Sequence, residues 1–145
     1  MKKPSYLKPS TKRSAIMRAV KGKHTKPELI VRSIIHQMGF RFSLHKKELP
    51  GRPDICLPKY KLAIFVHGCF WHRHFNCKFA TMPSSNVEFW SDKFRLNIKR
   101  DKEKANSLRR AGWRVFTIWG CECRKPQVLR QKIHRKLQSI KSATS

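Results

Sequence analysis

Acidic side chains are what this 145-residue chain lacks: 8 Asp and Glu stand against 34 Lys and Arg, a formal net charge of +26. Self-repulsion in such a field opposes compactness, so a polyanion is the expected neutralising partner. Nucleic acid fits best, because Lys and Arg contacts to phosphates supply most non-specific affinity. An anionic membrane surface is the competing partner, but the basic residues run along the whole chain and mark no single anchor. Long apolar runs are also missing. The longest, Leu62-Ala63-Ile64-Phe65-Val66, is far short of the roughly 20 residues a membrane helix needs, so no membrane role is expected. The N-terminal MKKPSYLKPSTKR is basic but has no apolar core of a secretory signal. The five cysteines make an odd count, which favours metal binding or free thiols over a disulfide framework. The expected location is cytoplasmic.

One domain is expected, with no internal repeats. Residues 1–13 read as a basic, loosely ordered N-terminal arm and residues 14–145 as a single domain. Ser14 to Val20 suits a short helix. Thr25-Lys26-Pro27-Glu28 signals a helix start, with a Thr cap, an early Pro and Glu as the return half of a capping box. That helix should stop at Gly39. Strands are expected over Phe40–Leu44, Asp54–Leu57 and Tyr60–Val66, with turns at Leu49–Pro53 and Pro58-Lys59. Ser85-Asn86-Val87-Glu88 reads as a second capping box opening a long helix that ends near Ala111-Gly112. Trp113 to Trp119 is a strand, and a basic amphipathic helix carrying Val128, Leu129, Ile133, Leu137 and Ile140 closes the chain. The order places the protein in the α/β class.

The segment HGCFWHRHFNC, residues 67–77, holds three histidines, two cysteines and a Phe-Trp pair. Cys69, His74 and Cys77 have the spacing of a zinc site, with Cys121 or Cys123 available as a distant fourth ligand. Cys56 on its strand reads as core. On the long helix, Phe94, Ile98, Asp101, Ala105 and Leu108 share one stripe, with Trp90 and Asn97 at its edge. Asp101 is thus an acid on a face that should pack, and it needs a His, Arg or metal partner. With Asp54, Glu28, His67 and His72 it makes a set of carboxylates and imidazoles suited to Mg²⁺ and phosphodiester hydrolysis. Trp113 and Trp119 read as core.

PGRPDI (50–55), VHGCFWHRH (66–74), EFWSDKFRLNIKRD (88–101) and GWRVFTIWGC (112–121), in this order, resemble the very-short-patch repair (Vsr) endonucleases, as do SAIMRAV and the Glu of HTKPE. The likeness runs over roughly residues 11–123. It implies a restriction-endonuclease-like α/β fold: a mixed central sheet flanked by helices, with a structural zinc site. It implies a bacterial, Mg²⁺-dependent enzyme that nicks double-stranded DNA 5′ of the thymine in a T:G mismatch left by 5-methylcytosine deamination. A monomer is expected, linked in function to a cytosine-5 DNA methyltransferase and to mismatch-repair proteins. By the same resemblance, Asp54 and the main-chain carbonyl of Val66 bind Mg²⁺, and His72 acts in general base or leaving-group chemistry. His67, Asp101 and Glu28 support it. Cys69, His74, Cys77 and Cys121 hold Zn²⁺. Phe70, Trp71 and Trp90 enter the duplex beside the mismatch, Met17 approaches from the other groove, and Asn97 makes a polar contact. Two departures stand out: Val66 stands where family members can carry a hydroxyl residue, and one residue is inserted between His74 and Cys77. A catalytically silent zinc-containing DNA-binding module and a nickase of other sequence choice are the competing readings.

Overall fold

A computed structural model describes residues 25–144. The expectations for the arm over 1–13, the helix over Ser14–Val20 and Met17 lie outside the described residues. The described elements run α1 (Lys26–Gln37), β1 (Ser43–Leu44), β2 (Ile55–Leu57), β3 (Leu62–His67), α2 (Val87–Arg110), β4 (Arg114–Trp119) and α3 (Pro126–Thr144), with short 3-10 turns at Pro58–Tyr60 and Gly120–Arg124. No described helix is long and apolar enough to cross a membrane.

Thr25 caps α1 as expected: its Oγ1 accepts the Glu28 N–H at 3.4 Å, and Pro27 sits in the first turn. The helix yields to Gly39, whose φ of +82° suits a residue without Cβ. Two local expectations need correction. Of the Phe40–Leu44 run only Ser43 and Leu44 pair, opposite Cys56 and Ile55, so β1 is a short edge strand. The start of α2 is not a Ser85–Glu88 capping box either. Val87 is its first residue, which makes Asn86 the cap, at φ +53° and with no side-chain capping bond. Ser85 is one residue too early to cap, and Asn tolerates the left-handed conformation better than most side chains.

The sheet is mixed, in the order β1-β2-β3-β4, antiparallel except for the parallel β3–β4 pair. Helix α2 is the crossover that parallel pairing requires. Both faces of β3 are covered, and strand alternation decides what each residue meets. Leu62 and Ile64 pack with Ile55, Ile118, Val31 and Ile35 of α1, and Leu129, Ile133 and Leu137 of α3. Ala63 and Phe65 turn the other way, to Leu108 of α2 with Trp113 and Val115 beside them. Leu108 is fully buried, so truncating it to Ala should cost about 2–5 kcal/mol. The Pro50-Gly51 turn is pressed onto α2: a Cβ at Gly51 would lie 2.7 Å from the Lys104 Cβ, and its φ is +75°. Glycine is therefore required there, one turn before Asp54.

Candidate active site and thiolate cluster

By the alternation of β3, His67 follows Ala63 and Phe65 onto the α2 side, where Asp101 waits two turns before Leu108. The buried stripe of α2 differs from the expected one. Trp90, Phe94 and Leu108 are buried, whereas Ile98 is 38% exposed. Asp101 stays on the inner face because the stripe drifts around the helix through Asn97 rather than Ile98. Its carboxylate meets His72 Nδ1 at 2.7 Å, and its other oxygen lies 4.0 Å from His67 Nε2. The His67 and His72 rings are stacked, 3.9 Å apart with planes 7° from parallel. Burial, then the neighbouring His72, lowers the pKa of His67 to about 4, against the pull of Asp101. His67 is thus a neutral imidazole near pH 7.

Asp54 precedes β2 and turns its Oδ2 to the Val66 N–H of β3 at 2.8 Å. Burial is the main reason its pKa rises to about 7; the Val66 N–H opposes that rise, and nearby Glu28 adds to it. Glu28 lies on the same face of α1 as Val31 and Ile35 and is only 2% exposed. Its carboxylate is directed inward, 2.7 Å from Arg32 and 3.3 Å from His45. The spacing of Glu28, Val31 and Ile35 was a readable signal that this acid is more than a cap. Two clusters could each hold a cation, Glu28–His45–Asp54 and His67–His72–Asp101, with candidate ligand atoms within 4.8 Å of one another. Hard carboxylate oxygens beside a strand carbonyl suit Mg²⁺.

The loop after β3 forms a third group. One ligand atom from each of Cys69, His74, Cys77 and Cys121 falls within the same 4.8 Å limit. His74 Nδ1 lies 3.6 Å from Cys69 Sγ and 3.4 Å from Cys121 Sγ. A tetrahedral zinc, with Zn–S near 2.3 Å and Zn–N near 2.1 Å, sets ligand separations of roughly 3.5–3.8 Å, so the donor set fits that ion. Burial lifts the Cys69 thiol to about 12, while a backbone N–H from Phe79 first, then the neighbouring thiols, lowers that of Cys77. Cys123 is not part of the group. It is buried in the core with its thiol toward the Pro27 carbonyl at 3.8 Å.

Trp119 is not plain core. Register pairs it with His67, and the indole stacks on His74 at 4.2 Å while meeting His67 edge-on at 5.4 Å. The aromatic group differs from a row of exposed wedges. Phe70 and Trp71 are partly exposed, but Trp90 is 1% exposed and packs 5.6 Å from Phe70 and 5.9 Å from Trp71. Trp90 is therefore the floor on which the other two rest. Asn97 donates to the Trp71 carbonyl at 2.9 Å, pinning that residue to α2. Arg73, which no sequence pattern singled out, braces the loop. Its guanidinium donates to the carbonyls of Phe70, Ala80 and Thr81 and stacks 4.0 Å from the Phe94 ring.

This fold has a solved relative, the "Homing Endonuclease I-Bth0305I Catalytic Domain", with TM-score 0.54 and 25% identity, covering 81% of this chain and 98% of that one. Fold and site together define a nuclease-like α/β domain. The family description "DNA mismatch endonuclease Vsr" matches residues 6–78. The "Type II nicking enzyme V.XorIIP" of Xanthomonas oryzae pv. oryzae is 47% identical over 111 residues, 77% of this chain and 81% of the relative. The "DNA mismatch endonuclease Vsr" of Escherichia coli K12 is 38% identical over 112 residues, 77% of this chain and 71% of that protein. The chain belongs to the Vsr family of DNA mismatch endonucleases.

Proposed function

We propose that this protein is a strand-specific DNA nickase that acts at T:G mismatches, cutting 5′ of the thymine by Mg²⁺-dependent hydrolysis. One observation carries the reading: the His72–Asp101 pair, at 2.7 Å, shares the end of β3 with Asp54 on the Val66 N–H. Asp101, as an acceptor, fixes the His72 proton on Nδ1 and leaves Nε2 to take up a proton. In the reaction water adds to phosphorus, the P–O3′ bond breaks with its electron pair on O3′, and the water's proton passes to a base. His72 Nε2 is that base, and the resulting imidazolium is stabilised by Asp101. His67, neutral and stacked on His72, would hold that ring in place. Asp54 and the Val66 carbonyl would hold the Mg²⁺, with Glu28 behind them. When bound, that ion supplies Lewis-acid stabilisation of charge on the scissile phosphate.

Cys69, His74, Cys77 and Cys121 would hold a structural zinc that fixes the loop carrying His72. Phe70 and Trp71 would enter the stack beside the mismatch, supported by Trp90 and tethered through Asn97. Unstacking costs least where pairing is already imperfect, so the same side chains bind and discriminate. Damage of this kind follows 5-methylcytosine deamination, which links the protein in function to a cytosine-5 methyltransferase and to mismatch-repair proteins. It would act as a monomer on bacterial duplex DNA.

The test is a strand-specific nicking assay on a randomised-context library of T:G duplexes. Product should require Mg²⁺ and map 5′ of the mismatched thymine. His72→Ala should slow it by about 10²–10⁴-fold, and Asp54→Ala should remove it while the fold persists. Full activity of Asp54→Ala would overturn the mechanism. Retention of mismatched DNA without product at any Mg²⁺ concentration would instead support a binding module.

A further inference from the structure

His45 stands beside Glu28 and Asp54 in a cluster that could hold a cation. It sits after β1 at φ +45°, a left-handed backbone uncommon for a side chain of its size, and its ring is 14% exposed. The β1–β2 ladder continues into it, since its N–H donates to the Asp54 carbonyl at 3.3 Å. Its Nε2 lies 3.3 Å from a terminal nitrogen of Arg32 and 3.3 Å from Glu28 Oε2, and its Nδ1 faces Asp54 Oδ1 at 4.0 Å.

The guanidinium bears on which ring nitrogen carries the proton. Arg only donates, and this one Arg32 nitrogen also reaches Glu28 Oε2 at 2.7 Å. Glu28 Oε2, also 3.3 Å from Nε2, competes for a ring hydrogen there. Where the guanidinium donates to both acceptors, His45 Nε2 is the bare nitrogen and Nδ1 carries the hydrogen on the side of Asp54. Asp54 is gripped at Oδ2 by Val66, so His45 addresses the remaining oxygen. At 4.0 Å that contact is an oriented dipole rather than a hydrogen bond. Groups that orient a ligating carboxylate in this way commonly govern its cation affinity.

We propose that His45 is a positioning residue for Asp54: Arg32 sets its tautomer, and its Nδ1–H turns the Asp54 carboxylate toward a divalent cation. This rests on the reading of Asp54 as the cation ligand. The test is Mn²⁺ binding to zinc-replete, DNA-free protein, followed by loss of the free-ion electron paramagnetic resonance signal. Asp54→Ala, the control for the underlying reading, should abolish binding at this site. His45→Phe keeps a ring without nitrogens, and His45→Gln carries its amide at the Nε2 position and leaves Nδ1 without a counterpart. Each should weaken Mn²⁺ binding about tenfold. His45→Asn suits the left-handed backbone and carries its amide nitrogen at the same bond position as Nδ1, so it should stay within about threefold of wild type. Wild-type affinity in the Phe and Gln variants overturns the proposal, as does a lowered Tm in all three without any change in affinity. An Asp54→Ala protein that still binds at this site would refute the reading of Asp54 instead. If the Phe variant does not fold, the Asn and Gln variants decide alone.

Discussion

His72 lies flat on His67, with ring centroids 3.9 Å apart and planes within 7°, while Asp101 touches His72 at 2.7 Å and stands 4.0 Å from His67. The two stacked imidazoles are thereby told apart: Asp101 holds His72 through Nδ1, and burial keeps His67 neutral.

The first prediction concerns His67. Its folded pKa, about 4, lies below the ordinary 6.5, so the unfolded chain binds the proton more readily. The stability of the neutral buried ring is fully present above pH 6.5 and is lost as pH falls toward about 4. His67→Phe should therefore lose less Tm than wild type across that window. Parallel curves for the two proteins would refute the assigned burial effect.

Asp54 has the opposite sign. Its folded pKa, about 7, exceeds the ordinary 3.8, so ionisation costs stability as pH rises between those values and the full cost persists above them. In cation-free protein Asp54→Asn should raise stability by on the order of a few kcal/mol above neutral pH, and the gain should vanish toward acid. Tm curves against pH measure this. The same variant should lose nicking, which would make Asp54 a site where stability is sacrificed to activity.

For the thiolate group, metal analysis should find about one zinc per chain. Cys121→Ser should lower zinc content and Tm together, whereas Cys123→Ser should leave zinc content unchanged. Equal zinc in the Cys121→Ser and wild-type proteins would exclude that ligand set.

Trp71→Ala should reduce discrimination of T:G from T:A duplexes about tenfold while total duplex binding changes less. Titrations of both duplexes at one salt concentration give the comparison. Equal loss on the two would place Trp71 in the scaffold with Trp90.

Long-period patterns were readable in the sequence. Val31 and Ile35 in α1, the β3 run and the Leu129–Ile133–Leu137 stripe of α3 all pack as their spacing indicates. The acid on the inner face of α2 was also readable, because a carboxylate among Phe94 and Leu108 breaks a pattern. What escaped were groups placed by tertiary contact alone. Ile98 is exposed although it fits the stripe, because the sheet covers only a drifting strip of a long helix. Trp119 follows β-alternation like a core residue, and only the parallel register with His67 reveals its second role. His45 and Arg73 sit in turns at positive φ, where no periodicity announces an inward side chain. Cys121 and Cys123 differ by two positions in one 3-10 turn, and only the turn's geometry sends one thiol to the loop and the other to the core.

The parallel pairing of β3 with β4 has a consequence for the order of synthesis. Three members of the thiolate group leave the ribosome before the crossover helix, and the fourth, Cys121, comes after it. A nascent chain that has emerged only through α2 already carries Asp54, His72 and Asp101 but cannot complete the donor set around the loop that bears His72. On the proposed mechanism, the cleaving centre would stay unassembled until the last strand has docked. A product truncated before β4 would, by the same wiring, be a fragment without a competent blade.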